Sequence, residues 1–217
     1  MPELPPPLPP ETRTVGQVIA ETIRAYGAHF WRALPLGLPL ALTDQVAVRQ
    51  KLPAQTLIFW AATPLFAAGF VLACALFHGK RPTWTAFGVA VLVWLPFPAL
   101  RAAYLLPGLA WLAFIGLAVP AAVVERLPFR AALVRGRELG AADYVHALGS
   151  IAALVIVVGV AEQTLAALLH SQGNNGQRVA VFGSDLVLSP LLYLGGALLY
   201  LDQAARVGRI RPRRRSA

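Results

Sequence analysis

The stretch from Thr85 to Val124 contains one charged residue, Arg101, in about forty positions. An α-helix rises about 1.5 Å per residue, so this stretch as one helix would be roughly 60 Å long. That length is about twice the thickness of the hydrocarbon core of a bilayer, and the core of a soluble domain needs no such element. The stretch therefore predicts two membrane crossings joined near Arg101, and the chain is expected to be an integral membrane protein.

The composition supports the same class of protein. The 217 residues are 57% hydrophobic and 13% charged, with a mean hydropathy of +0.61. A soluble domain carries about 25% charged residues. The polar segments that remain are too short to bury a core of their own, so the composition excludes a separate soluble catalytic domain within these residues.

Six apolar stretches are long enough to be membrane crossings. Short polar connections join them in pairs, which predicts three antiparallel hairpins in an all-α, polytopic fold. The predicted crossings are Phe30–Val48, Thr56–His78, Thr85–Leu100, Ala102–Val124, Ala147–Leu169 and Val179–Leu201.

The sequence also predicts segments outside these crossings. Residues 1–13 are proline-rich and are predicted to be a disordered cytoplasmic arm; residues 14–205 form the six-helix membrane domain, and residues 206–217 form a basic cytoplasmic tail. Two amphipathic helices are expected at the membrane interface. The first begins at Thr14, which forms a predicted capping box with Gln17, and the second begins near Pro128.

The distribution of arginine and lysine indicates the orientation. If the N-terminus is cytoplasmic, 15 of the 19 basic residues lie on the cytoplasmic side and 4 lie outside. Basic residues accumulate on the cytoplasmic side of membrane proteins. Both termini are therefore predicted to be inside.

Several short motifs follow the same order as the predicted elements. A Thr-Val-Gly-Gln opening precedes the first crossing, a Pro-Ala-x-x-x-Glu segment leads into the second amphipathic helix, and a Tyr-x-Asp sequence closes the last crossing. These motifs lie in Thr14–Ile19, Ala25–Tyr26, Phe30–Trp31, Val119–Glu125, Ala131–Leu139 and Leu198–Asp202.

The order of elements and these motifs resemble the bacterial family called glycerophosphoryl diester phosphodiesterase membrane domain-like. The resemblance implies a six-helix protein of a bacterial cytoplasmic membrane, of unknown activity. The phosphodiesterase activity that names some members belongs to a separate barrel domain with paired carboxylates and histidines. That arrangement has no counterpart in this sequence, so the resemblance implies no catalytic residue.

Ionisable residues inside membrane crossings are costly and are functional candidates by default. Asp44, Glu162 and Asp185 lie in the outer halves of three predicted crossings, and Arg101 lies at the same level. These four residues form a candidate intramembrane polar cluster facing an outward cavity. The alternative is that they form interhelical ion pairs or reach the outer headgroups.

The last crossing carries a regular face of polar and small residues. These residues are Asp185, Ser189, Tyr193, Gly196 and Tyr200, spaced four, four, three and four positions apart. Small and hydroxyl residues allow membrane helices to approach each other closely. We interpret this face as a helix-packing surface, with a polar pathway as the alternative.

The basic tail is predicted to contact anionic lipids at the cytoplasmic surface, since each basic residue near such a surface contributes about 1 kcal/mol. The candidate lipid-contacting residues are Arg206, Arg209, Arg211, Arg213, Arg214 and Arg215. The net charge of +9 is explained by orientation and lipid contact, so nucleic acid is not an expected partner.

The sequence favours a non-enzymatic protein that organises the membrane or binds a partner. That partner is either another protein or a second copy of the same chain. It shows no nucleophile elbow, phosphate-binding loop or clustered metal ligands, so no catalytic, cofactor or metal site is expected. The alternative is a small transporter or channel. An organising protein would have dry contacts between helices, whereas transport would need a hydrated path joining Asp44, Arg101, Glu162 and Asp185.

Overall fold

The computed structural model describes residues 9–168 and 173–210, and all secondary structure in these ranges is helical. Short 3-10 segments lie at Pro10–Thr12 and Leu34–Gly37. The α-helices, numbered in chain order, are α1 (Val15–Ala28), α2 (Phe30–Ala33), α3 (Leu38–Ala47), α4 (Leu52–Ala61), α5 (Thr63–His78), α6 (Trp84–Trp94), α7 (Phe97–Ala103), α8 (Leu105–Ile115), α9 (Ala118–Val124), α10 (Phe129–Ala142), α11 (Tyr144–Leu168), α12 (Gly173–Leu188) and α13 (Pro190–Ile210).

Four helical segments within the described ranges are long and apolar enough to cross a bilayer. A fifth is present if α4 and α5, which meet at a bend of 50°, are taken as one broken crossing. The sequence predicted six crossings. The structure supports a multi-span helical membrane protein with four or five such helices. The four segments are Trp84–Ala103, Leu105–Val124, Tyr144–Leu165 and Arg178–Gly208.

The difference in number lies at the first predicted crossing, Phe30–Val48. The chain there forms α2, a 3-10 segment and α3, and none of these pieces is long enough to cross a bilayer. Pro35 and Pro39 each sit in the first turn of a new segment. Because proline has no backbone N–H, it cannot continue the hydrogen-bond ladder of a preceding helix. Two prolines four residues apart therefore divide this stretch.

Helix α13 lies at the centre of the bundle, where it packs against α1, α5, α10 and α11. The predicted hairpin partners are in contact, since α7 packs on α8 and α11 packs on both α12 and α13. Helix α13 continues to Ile210, beyond the predicted end of the membrane domain at residue 205.

Both predicted amphipathic helices form, and each packs its apolar face on the bundle. The capping box of α1 is confirmed, because Gln17 N donates to Thr14 Oγ1 and Thr14 N donates to Gln17 Oε1. Helix α1 lies on α13 and α11, and α10 lies on α8 and α9. A Cβ added at Gly136 of α10 would come within 2.5 Å of Ala118, so glycine allows this close approach.

The last residues of the predicted N-terminal arm are held against the C-terminal part of α13. After the 3-10 segment Pro10–Thr12, Arg13 Nη1 donates to Asp202 Oδ1 at 2.8 Å. Arg206 pairs with Asp143 and donates to the backbone carbonyl of Arg13. Residues 1–8 lie outside the described ranges.

Candidate functional site

The structure brings the elements that carry the predicted polar cluster together. Asp44 lies on α3, Glu162 on α11 and Asp185 on α12; α12 packs against both of the other helices. The charge of Asp44 acts on both Glu162 and Asp185, and the charge of Arg101 acts on Asp44. The three carboxylates therefore lie close enough to interact with one another, and Arg101 interacts with Asp44.

Arg101 does not form an ion pair with any carboxylate in the described part of the chain. Its guanidinium carbon lies 4.1 Å from the centre of the Phe59 ring, in a cation–π contact. Glu162 Oε1 and Asp185 Oδ2 are buried and have no hydrogen-bond partner among the described residues. Asp185 is only 2% exposed, so one of its oxygens is buried without compensation.

A cavity of about 210 Å³ lies at the centre of the bundle. Its walls come from helices α3 to α8, α11 and α13, and most of the side chains are leucine or phenylalanine. Arg101 is the one charged side chain among the lining residues that the structure describes; Asp44, Glu162 and Asp185 do not line the cavity. The candidate cluster is thus divided, because Arg101 lines the cavity and the three carboxylates do not.

The sequence builds this central cavity from helical periodicity and from small residues. On α8 the lining residues Leu105, Leu109 and Leu112 recur every three or four positions, which places them on one helix face. On α13 Gly196 lines the cavity opposite Phe70, and a Cβ added there would come within 3.0 Å of that ring. The absence of a side chain at this position allows the Phe70 ring to pack closely against α13.

Arg101 and Leu105 are exposed, so the central cavity reaches the protein surface at the turn between α7 and α8. Its lining continues along α8 and past the end of that helix to Leu117, which is buried. Eleven residues of helix correspond to about 16 Å. Arg101, the one lining cation among the described residues, thus lies at the surface end of the central cavity.

Two other polar groups on the cavity wall have no partner among the described residues. They are the hydroxyl of Ser189, which is almost fully buried, and the indole N–H of Trp94. Buried donors without partners are uncommon. Both atoms have almost no accessible surface, so the structure does not present them to a molecule in the cavity.

The sequence reasoning missed this cavity, although it singled out three residues of its wall. Ser189, Tyr193 and Gly196 belong to the polar and small face that was interpreted as a packing surface. That face does pack, since Tyr193 and Ser189 are buried, but it also borders the central cavity. The cavity wall is formed where small residues on α13 meet aromatic residues on α5 and α6. This pairing is visible only in the tertiary contacts and not in the sequence.

The predicted lipid-contacting arginines lie at the edge of the described chain. Arg206 forms an ion pair with Asp143, so its charge is already used within the protein. The backbone of Arg209 is helical. Arg211, Arg213, Arg214 and Arg215 lie outside the described ranges.

No family model, curated protein or solved structure matches this chain.

Proposed function

We propose that this chain is a non-enzymatic, membrane-organising protein of a bacterial cytoplasmic membrane, and that it binds a lipid molecule in its central cavity. In this proposal the chain crosses the bilayer six times, with the broken α2–α3 stretch as the first crossing and both termini inside. The excess of basic residues on the proposed cytoplasmic side supports that orientation. On the motifs quoted above, we also propose that the chain is a distant member of the glycerophosphoryl diester phosphodiesterase membrane domain-like family.

The observation that carries this function is the apolar wall of the central cavity. An apolar cavity of about 150 Å³ stays dry and binds benzene or xenon, because water finds no hydrogen-bond partners there. The central cavity is larger, at about 210 Å³, and its wall is formed mainly by leucine and phenylalanine. In a bilayer, the apolar molecules that surround such a cavity are lipids.

Transport has weaker support from the same wall. A hydrated path would need polar groups along its length, and of the four candidate residues only Arg101 lines the cavity. The unpartnered oxygens of Glu162 and Asp185 are the observation that favours transport. The experiment below therefore includes a variant of Glu162.

Native mass spectrometry of the detergent-purified protein tests the proposed function. Val155 lines the central cavity, whereas Val157 lies two positions away on α11 and is exposed on the outside of the bundle. Val155→Phe places a ring in the cavity, and Val157→Phe makes the same chemical change on the surface. The wild type and Val157→Phe are expected to retain a bound lipid that Val155→Phe loses.

The same measurement on Glu162→Gln separates the two functions. Because Glu162 does not line the central cavity, its neutralisation is expected to leave lipid retention unchanged. Equal retention by Val155→Phe and Val157→Phe would contradict binding in the cavity. Loss of a bound small molecule in Glu162→Gln alone would favour the transport function.

A further inference from the structure

We propose that the occupant of the central cavity is a single acyl chain whose anionic headgroup is bound by Arg101. This inference rests on the proposed function and names the chemical class of its ligand. It follows from two observations: the charge at the open end of the cavity and the size of the cavity.

The charge at the open end favours an anion. Arg101 is exposed, lines the cavity and forms no ion pair within 4.0 Å with a described carboxylate. Its stacking on Phe59 fixes the guanidinium in place but does not neutralise it. Arginine has five N–H donors in a planar arrangement, which suits two oxygens of a carboxylate or phosphate. Asp44 acts on Arg101 through space, yet it lies beyond ion-pair distance and leaves these donors free.

The size of the cavity limits the apolar part of the ligand to one chain. The lining follows α8, which is about 16 Å long, and continues past its end at Ile115 to Leu117. The length of α8 is close to half of a hydrocarbon core of about 30 Å, which is the depth of one leaflet. A volume of about 210 Å³ is only modestly larger than a cavity that holds benzene, so it encloses part of one acyl chain and not both chains of a phospholipid.

Fluorescence quenching in phosphatidylcholine nanodiscs tests the inference, because Trp94 lies in the wall of the cavity. The chain has five tryptophans, so Trp31, Trp60, Trp84 and Trp111 are first replaced by phenylalanine to leave Trp94 as the single reporter. Bromine-labelled palmitate, at alkaline pH, is expected to quench the emission of Trp94 in this background. Hexadecanol, which has the same chain length without the charge, is measured as a competitor. Wild type is expected to prefer palmitate over hexadecanol by about tenfold or more, since a hydrogen bond to a charged group is worth at least that factor.

Arg101→Gln is the decisive variant, and Arg49→Gln is its control, because Arg49 is also exposed but does not line the cavity. Arg101→Gln is expected to lose the preference for palmitate while keeping its affinity for hexadecanol. Arg49→Gln is expected to behave like the wild type. Lysophosphatidate, used as a second competitor, distinguishes a phosphate headgroup from a free carboxylate.

Two negative outcomes have different meanings. If wild type binds palmitate and hexadecanol equally well, or if Arg101→Gln keeps the preference, the headgroup assignment is overturned and the proposed function survives. If neither amphiphile quenches Trp94 or competes for the cavity, both the assignment and the proposed function are wrong.

Discussion

Neutralising Asp202 should destabilise the protein strongly, because this carboxylate is a buried ionic partner of the N-terminal segment. Asp202 is 0% exposed, and its Oδ1 accepts a hydrogen bond from Arg13 Nη1 at 2.8 Å. The side chain of Arg13 is only 12% exposed. Asp202→Asn would leave the arginine with no counter-ion at this distance in a site with little water.

The magnitude follows from the burial of both partners. Removing one member of a buried ion pair costs about 3–5 kcal/mol, because the remaining charge is left uncompensated. Arg13 keeps some contact with solvent, so we expect the lower end of that range, about 3 kcal/mol. Asp202 Oδ2 also lies 3.9 Å from His146 Nε2, and loss of that contact acts in the same direction.

Glu21→Gln provides a matched control. The Arg24–Glu21 pair is just as short, at 2.6 Å, but its side chains are 55% and 21% exposed. Exposed pairs contribute about 0.2–1 kcal/mol. Both variants are measured by equilibrium unfolding with sodium dodecyl sulfate in mixed micelles. The loss of unfolding free energy should be larger for Asp202→Asn than for Glu21→Gln by about 2 kcal/mol or more.

A double variant, Arg13→Met with Asp202→Asn, removes both charges and should recover part of the loss. The reasoning would be refuted if Asp202→Asn and Glu21→Gln reduced the unfolding free energy equally. It would also be refuted if Arg13→Met lowered the unfolding free energy by the same amount in the Asp202→Asn background as in the wild type, because the two substitutions would then act independently.

Two further predictions use the same unfolding assay. Gly136→Ala should destabilise the protein by about 1–3 kcal/mol, because the new Cβ meets Ala118 at 2.5 Å and α9 and α10 must separate. Gly159→Ala is the control: a Cβ at this position meets nothing within 4 Å, so the substitution should instead gain up to about 1 kcal/mol of helix propensity. Equal effects of the two substitutions would contradict the packing of α10. Tyr200→Phe should cost about 1.5–3 kcal/mol, because the hydroxyl donates to Glu125 Oε1 at 2.7 Å; an unchanged unfolding curve would contradict this bond.

Arg135 should stay charged in that Tyr200 variant and remain bound to Glu125. Burial lowers the pKa of Arg135, but the hydrogen bond and the charge of Glu125, together with Glu138, raise it overall. Arg135 Nε donates to Glu125 Oε1 at 3.0 Å. The loss in Tyr200→Phe therefore reports on the tyrosine hydroxyl rather than on the ion pair.

Local sequence signals predicted those parts of the fold that depend on neighbouring residues. The capping box at Thr14 is confirmed, since it needs only a Thr and a Gln three positions apart. The apolar run from Thr85 to Val124 does divide near Arg101, at Tyr104. Its two halves are both long enough to cross a bilayer.

The parts that the sequence did not predict have two different causes. One is local: Phe30–Val48 was counted as one apolar stretch because hydropathy does not register how Pro35 and Pro39 interrupt its backbone hydrogen bonds. The other is tertiary: Asp44, Glu162 and Asp185 do not line the central cavity, and this depends on how α3, α11 and α12 rotate about their axes. Helical periodicity does not fix that rotation when a helix is apolar on most sides.

An experimental structure of the protein purified in native lipid tests the central claim most directly. The account predicts continuous, chain-shaped density in the central cavity, running from Leu117 past the leucines of α8 to a headgroup at Arg101. A cavity that contains no such density, with Arg101 paired with Asp44, would contradict it.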